Sequence, residues 1–74
     1  MENYQMLIGV VMEKLGQTYK ELKFHYDSLG SVLAEHSPEE RKQVPELTTM
    51  EDLRETYGEL IRTLEDRYPG IRGL

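Results

Sequence analysis

An apolar residue recurs at every third or fourth position through the first half of the chain. The positions are Tyr4, Ile8, Val11, Leu15, Tyr19, Leu22, Tyr26, Leu29 and Leu33. At 100° per residue they fall on one side of a helix, so they predict one long amphipathic helix. A second stripe of the same kind follows at Met50, Leu53, Tyr57, Leu60, Leu64 and Tyr68. Two such stripes have to be buried against each other or against another chain, which predicts an all-α fold.

Pro38 sets the end of the first predicted helix. Its ring disfavours helical geometry at Ser37, so we place this helix at about residues 3–36. Ser37 is a residue type that caps helices, and the acidic residues that follow Pro38 favour a helix start. We therefore expect a short helical turn over about residues 38–43.

The second stripe predicts a shorter helix over about residues 49–68. Thr48 or Thr49 is expected to cap its start, and Thr49 with Asp52 three positions later resembles a capping box. A Pro-Gly pair follows its end. Residues 69–74 are expected to form a frayed tail. The whole chain, residues 1–74, is thus predicted to be a single small helical domain, a helical hairpin in which a long helix is folded back on a shorter helix.

Three glycines interrupt the first stripe without changing its phase. Gly9, Gly16 and Gly30 each weaken a helix by up to about 1 kcal/mol relative to alanine. The unbroken phase favours one continuous helix, and a break at Gly16 or at Gly30 is the open alternative.

The two predicted helices differ in length. At 1.5 Å per residue the first is about 50 Å long and the second about 30 Å, so an antiparallel second helix reaches only to about Gly16. Residues 3–15 then overhang, and an uncovered apolar segment promotes aggregation of a monomer. Either a second copy covers it, forming a homodimeric helical bundle, or a different protein does. The predicted interface residues are Leu7, Ile8, Val11, Met12 and Leu15.

Phe24 lies outside both stripes. On a helix it points away from the first stripe, on the side that also carries Met6 and Val10. Single exposed aromatic side chains are common on protein surfaces, and they are also favoured anchors at interfaces. Two interpretations stay open: an isolated surface aromatic, or a contact with a partner protein through Phe24, Met6 and Val10.

Acidic residues form a ridge on the second predicted helix, opposite its apolar stripe. They are Glu51, Asp52, Glu55 and Glu59. A charged helix face is typical of a solvated surface, and we expect one here. The alternative is an acidic mimic of nucleic acid that blocks a nucleic-acid-binding protein, as a phage-encoded inhibitor does.

Composition disfavours several classes of function. The chain has a net charge of −5, and acids outnumber bases in every third of it, which disfavours direct binding of nucleic acid. There is no cysteine, so disulfides and thiolate metal sites are excluded, and we expect a cytoplasmic protein. The apolar run Met6–Met12 is too short to span a membrane and lacks the flanks of a targeting segment.

The chain shows no catalytic or metal-binding constellation. Its two histidines, His25 and His36, lie about 16 Å apart along one helix, so they cannot share a metal ion within a subunit. No Ser-His-Asp arrangement can be placed, and a two-helix chain offers no obvious concave pocket for a cofactor or a small-molecule substrate, so a site of this kind is expected only if a dimer builds it. We therefore predict a non-enzymatic protein–protein interaction module. Its predicted partners are a second copy and a larger protein, for which it is a small regulator, inhibitor or adaptor.

Overall fold

The computed structural model describes residues 3–74 and is a helical hairpin. Its helices are α1 (Asn3–Leu33), α2 (Pro38–Gln43) and α3 (Pro45–Arg67), followed by one 3₁₀ turn (Ile71–Gly73). α3 packs back along α1, α2 contacts α3, and the 3₁₀ turn contacts both long helices. The described chain measures 57 × 18 × 15 Å, so it is a rod. The predicted all-α hairpin is thereby confirmed.

α1 is continuous over 31 residues. The break that was left open at Gly16 or Gly30 does not occur. α1 ends at Leu33 rather than near residue 36, because the backbone hydrogen bonds after Leu33 change from the α-helical to the 3₁₀ pattern. The amides of Glu35 and His36 bond to carbonyls three residues back instead of four.

A capping box starts α2. The Ser37 hydroxyl accepts a hydrogen bond from the Glu40 amide at 3.2 Å, and the Glu40 carboxylate accepts one from the Ser37 amide at 3.0 Å. This amide, with the His36 ring beside it, lowers the pKa of Glu40 below its ordinary value. Ser37 is therefore confirmed as a helix cap.

α3 starts at Pro45 rather than near residue 49. Proline is favoured at the first helical position, because its φ angle is already helical. The backbone N–H that proline lacks would have no acceptor within the helix at this position. Thr48 and Thr49 consequently lie inside α3, so neither caps it, and the predicted capping box of Thr49 with Asp52 is wrong. Thr48 instead donates its hydroxyl to the Arg41 carbonyl at 2.7 Å, which ties α3 to α2.

The side of α3 that packs on α1 is rotated from the centre of the predicted stripe, although Leu64 and Tyr68 of this stripe pack against the core. The buried residues of α3 are Leu47, Gly58 and Ile61. Leu53 and Leu60, which belong to the stripe, are each 47% exposed. Gly58 permits this rotation, because a Cβ there would lie 3.0 Å from Cε1 of the Tyr26 ring. The glycine allows α3 to approach the ring closely with this side.

The C-terminal residues complete the core, so the predicted frayed tail is wrong. Ile71 is 1% exposed and packs with Tyr19 of α1 and Ile61 of α3. Leu74 continues this contact along α1, since a Cβ at Gly16 would lie 2.6 Å from the Leu74 Cβ. The Pro-Gly pair ends α3, but it leaves the next residues free to fold over the uncovered side of Tyr19.

One carboxylate joins this turn to both long helices. Glu65 accepts hydrogen bonds from the Tyr19 hydroxyl and from the guanidinium of Arg72, whose Nη2 lies 3.0 Å away. The Tyr19 hydroxyl, and to a smaller extent Arg72, lowers the pKa of Glu65 below its ordinary value. Glu65 is therefore held in its charged form where α1, α3 and the turn meet.

Replacing Tyr19 by phenylalanine is expected to lower the melting temperature by a few degrees at neutral pH. The pKa of Glu65 is lower in the folded chain than its ordinary value of 4.5. Its stabilisation is therefore present above this ordinary pKa and is lost as the pH falls through the folded-state pKa. The difference in melting temperature between wild type and variant should shrink on acidification.

Tyr57→Phe is the matched control, since this half-buried ring contacts His25 rather than a carboxylate. Its melting temperature should follow that of the wild type at every pH. An equal, pH-independent drop in both variants would contradict the role assigned to Glu65.

Candidate interaction surface

The first part of α1 has no other described helix packed along it. We call residues 3–15 the N-terminal arm. α3 and the C-terminal turn reach along α1 to about Gly16, where Leu74 lies. The apolar side chains of the arm that are more than half exposed are Tyr4, Met6, Leu7, Ile8, Val10 and Val11. The predicted overhang is therefore present.

The predicted interface residues of the arm fall into two groups. Leu7, Ile8 and Val11 are exposed, whereas Met12 and Leu15 are half-buried. Leu15 already packs against the core cluster around Tyr19. The first group is thus accessible to another molecule, and the second group connects the arm to the core. Contact of either group with a partner stays a prediction.

Beside the contact between α1 and α3 lies an apolar groove of about 290 Å³, which we call the side groove. It is lined by His25, Ser28, Leu29 and Val32 of α1 and by Met50, Leu53 and Tyr57 of α3. The three α3 residues belong to the stripe that was expected to face α1. Because α3 is rotated, this stripe forms one wall of an open groove instead.

Phe24 is 67% exposed, in agreement with its position outside both stripes. Its ring meets the His25 ring edge-on, with 5.6 Å between centroids, and His25 lies 5.8 Å from the Tyr57 ring. The rings of Phe24, His25 and Tyr57, which we call the aromatic row, therefore run from the outer side of α1 into the side groove. Met6 and Val10 are exposed as well, at 71% and 52%.

The other side of the hairpin carries a charged groove of about 830 Å³. Its charged lining residues are Asp27, Arg41, Glu51, Arg54, Glu55 and Arg62. Arg54 lies over the Tyr26 ring, 3.9 Å from its centroid, and its Nε donates a hydrogen bond to the Tyr26 carbonyl at 3.2 Å. Since guanidinium groups and carboxylates alternate here, the groove presents neither a basic nor an acidic surface to a ligand.

This charged groove changes the interpretation of the acidic ridge. Glu51 is half-buried and lies 3.7 Å from the Arg41 guanidinium, so it turns toward the hairpin. Asp52, Glu55 and Glu59 are exposed, and Glu55 also lines the charged groove. The ridge therefore faces solvent at three of its four residues. The function as an acidic mimic stays a prediction.

The two histidines lie in different surroundings. His25 belongs to the aromatic row, and His36 lies 3.4 Å from Glu40. Across residues 3–74, no three potential metal ligands gather in one place. None of the helices in this part of the chain combines the length and the apolarity needed to cross a bilayer.

Sequence reasoning missed two features of these surfaces. The apolar residues of the side groove were visible as members of the stripes, but periodicity does not say which helix they face. The stacking of Arg54 on Tyr26 had no sequence signal, because the two residues are distant along the chain. Comparison of the chain with protein-family models, with curated proteins and with solved structures finds no match.

Proposed function

We propose that this chain is a non-enzymatic protein–protein interaction module. It forms a homodimeric helical bundle and acts as a small regulator, inhibitor or adaptor by binding a larger protein. The observation that supports this function best is the N-terminal arm, which exposes apolar side chains on more than one side. Monomeric soluble proteins rarely expose a continuous apolar surface of this kind.

Two sides of the arm need to be covered. Ile8 and Val11 continue the line of α1 that enters the core, and a second copy of the chain can bury them. Met6 and Val10 point in other directions on the helix, so a single neighbouring helix leaves them exposed. A second kind of contact is therefore required for the outer side.

Phe24 extends this outer side along α1. It lies about five helical turns from Met6, so both side chains point in the same direction. We call Met6, Val10 and Phe24 the outer row. Methionine and aromatic residues are enriched where proteins bind one another. The partner that fits is a larger protein with an apolar groove, in which α1 is bound as an amphipathic helix.

The double variant Met6→Ser with Phe24→Ser tests this function. The protein is immobilised and exposed to an extract of the cells that make it. A larger protein bound by the wild type is expected to be retained at least about tenfold less by the variant, since each interface anchor contributes more than about 1 kcal/mol. Helicity and mass in solution should not change, because the outer row lies outside the hairpin core.

Thr49→Ser with Thr63→Ser is the matched control, because it introduces the same residue at two exposed positions of α3 outside the proposed contacts. It should retain the larger protein as well as the wild type does. Equal retention by all three proteins, or the absence of any larger protein bound to the wild type, would overturn the proposed function.

A further inference from the structure

The apolar face of α1 is wider than the part that α3 covers, and Leu15 and Leu22 at the edge of the covered part pack against the core. Its residues recur at intervals of seven, as in helices that pack in bundles. One set is Ile8, Leu15, Leu22 and Leu29, and the other is Tyr4, Val11, Thr18, His25 and Val32. Val11 is 52% exposed and Val32 is 38% exposed. This face, which we call the heptad face, therefore has no complete cover within the hairpin.

The two halves of the heptad face are incomplete in complementary ways: one has no neighbouring helix, and the other lines an open groove. Its first half, with Ile8 and Val11, lies on the N-terminal arm, which has no neighbouring helix. Its second half, with His25 and Val32, forms one wall of the side groove, which is open. If the arm of a second copy binds in the side groove, the exposed apolar side chains of both are buried.

An antiparallel pair of α1 helices satisfies both needs with one two-fold axis. With the axis beside Gly16 and Gln17, the first half of each heptad face lies on the second half of the other. A single register then sets Ile8 opposite His25 of the second copy, and Val11 opposite Leu22 of the second copy. The same register sets Tyr4 opposite Leu29 and Leu15 opposite Thr18.

The charges beside the heptad face fit this direction. Lys14 and Glu21 are both exposed and occupy the same heptad position on one flank of the face. In the antiparallel register, Lys14 of each copy lies beside Glu21 of the other, so two opposite-charge pairs form. In a parallel pair, Lys14 and Glu21 would instead lie beside Tyr19 and Tyr26 of the second copy, so neither charge would meet an opposite one.

From these observations we infer that the occupant of the side groove is the N-terminal arm of a second copy. The two hairpins pack antiparallel, and each arm is buried against His25 and Leu29 of the other copy. The α3 stripe on the same side of the hairpin, with Met50, Leu53 and Tyr57, supplies the second wall. This inference rests on the homodimer of the proposed function and specifies its interface.

Disulfide crosslinking tests the register, since the chain has no cysteine of its own. The variant Ile8→Cys with His25→Cys is expected to form a covalent dimer on mild oxidation, because the two positions face each other across the axis. Ile8→Cys with Phe24→Cys is the matched control. It moves the second cysteine by one residue, about 100° around α1, and should stay uncrosslinked.

Charge reversal provides a second test that does not rely on cysteine chemistry. Lys14→Glu places two acidic pairs at the interface and is expected to weaken the dimer several-fold at low salt. Adding Glu21→Lys in the same chain restores opposite charges and should restore the dissociation constant. A double variant that dimerises more weakly than Lys14→Glu alone would overturn the register.

The outcomes separate this inference from the proposed function. Light scattering of the unaltered protein should give the mass of a dimer over a wide concentration range. If the single variant Ile8→Cys forms a covalent dimer, the two arms lie against each other. This result would overturn the register but not the homodimer. A monomer at every concentration overturns the second copy as occupant and leaves a different protein to cover the arm. The retention of a larger protein by the outer-row variant, Met6→Ser with Phe24→Ser, tests only the proposed function and not this register.

Discussion

Replacing Ile61 by alanine is expected to lower the free energy of unfolding by about 2–5 kcal/mol, the range for truncating a buried isoleucine. Ile61 is 8% exposed and packs with Tyr19 and Ile71. The change therefore leaves a cavity where α1, α3 and the C-terminal turn meet. Urea unfolding followed by circular dichroism should show a lower midpoint at an unchanged slope.

Leu60→Ala is the control for this prediction. Leu60 is the preceding residue and belongs to the predicted stripe, but it is 47% exposed. We expect a cost of about 1 kcal/mol, because only part of its surface is removed from water. A larger cost at Leu60 than at Ile61 at low concentration would contradict the rotation of α3.

Ile71→Ala is expected to cost a similar amount and to lower the melting temperature by about 10 °C or more. Ile71 is 1% exposed and is the one large side chain, among the described residues, that is fully buried. A single core of this size supplies only about 3–5 kcal/mol of stability, so the variant should be substantially unfolded at body temperature. Thermal unfolding followed by circular dichroism measures the effect.

Ile71→Val provides a graded comparison, with an expected cost of about 0.5–1.5 kcal/mol. Leu74→Ala should cost less than Ile71→Ala, because Leu74 is 44% exposed. If Ile71→Ala melts at the wild-type temperature, the C-terminal turn is detached from the core, as expected for a frayed tail.

The hairpin architecture was predictable because its signals are short-range. The stripe along α1 has the period of a helix, and its members Tyr19, Leu22 and Tyr26 lie in the core or against it. Pro38 marks the connection because its ring restricts the residue before it. Such effects act within a few residues, so they can be read without knowing the packing.

The packed side of α3 could not be read in the same way. Two sides compete, one with Leu53 and Leu60 and the other with Gly58 and Ile61. Counting apolar residues favours the first. The second packs against α1 because Gly58 admits the Tyr26 ring and because the Arg54 guanidinium stacks on the same ring. These contacts join positions on different helices, which no local pattern records.

The candidate interaction surface also has features that local sequence signals predict and features that depend on tertiary packing. The helices, their order and the uncovered apolar arm follow from local signals, namely periodicity, proline positions and helix lengths. The rotation of α3, the burial of Ile71 and the existence of the side groove follow from tertiary packing. Each of these depends on how side chains distant in sequence fit together, and that fit is settled by close packing in three dimensions.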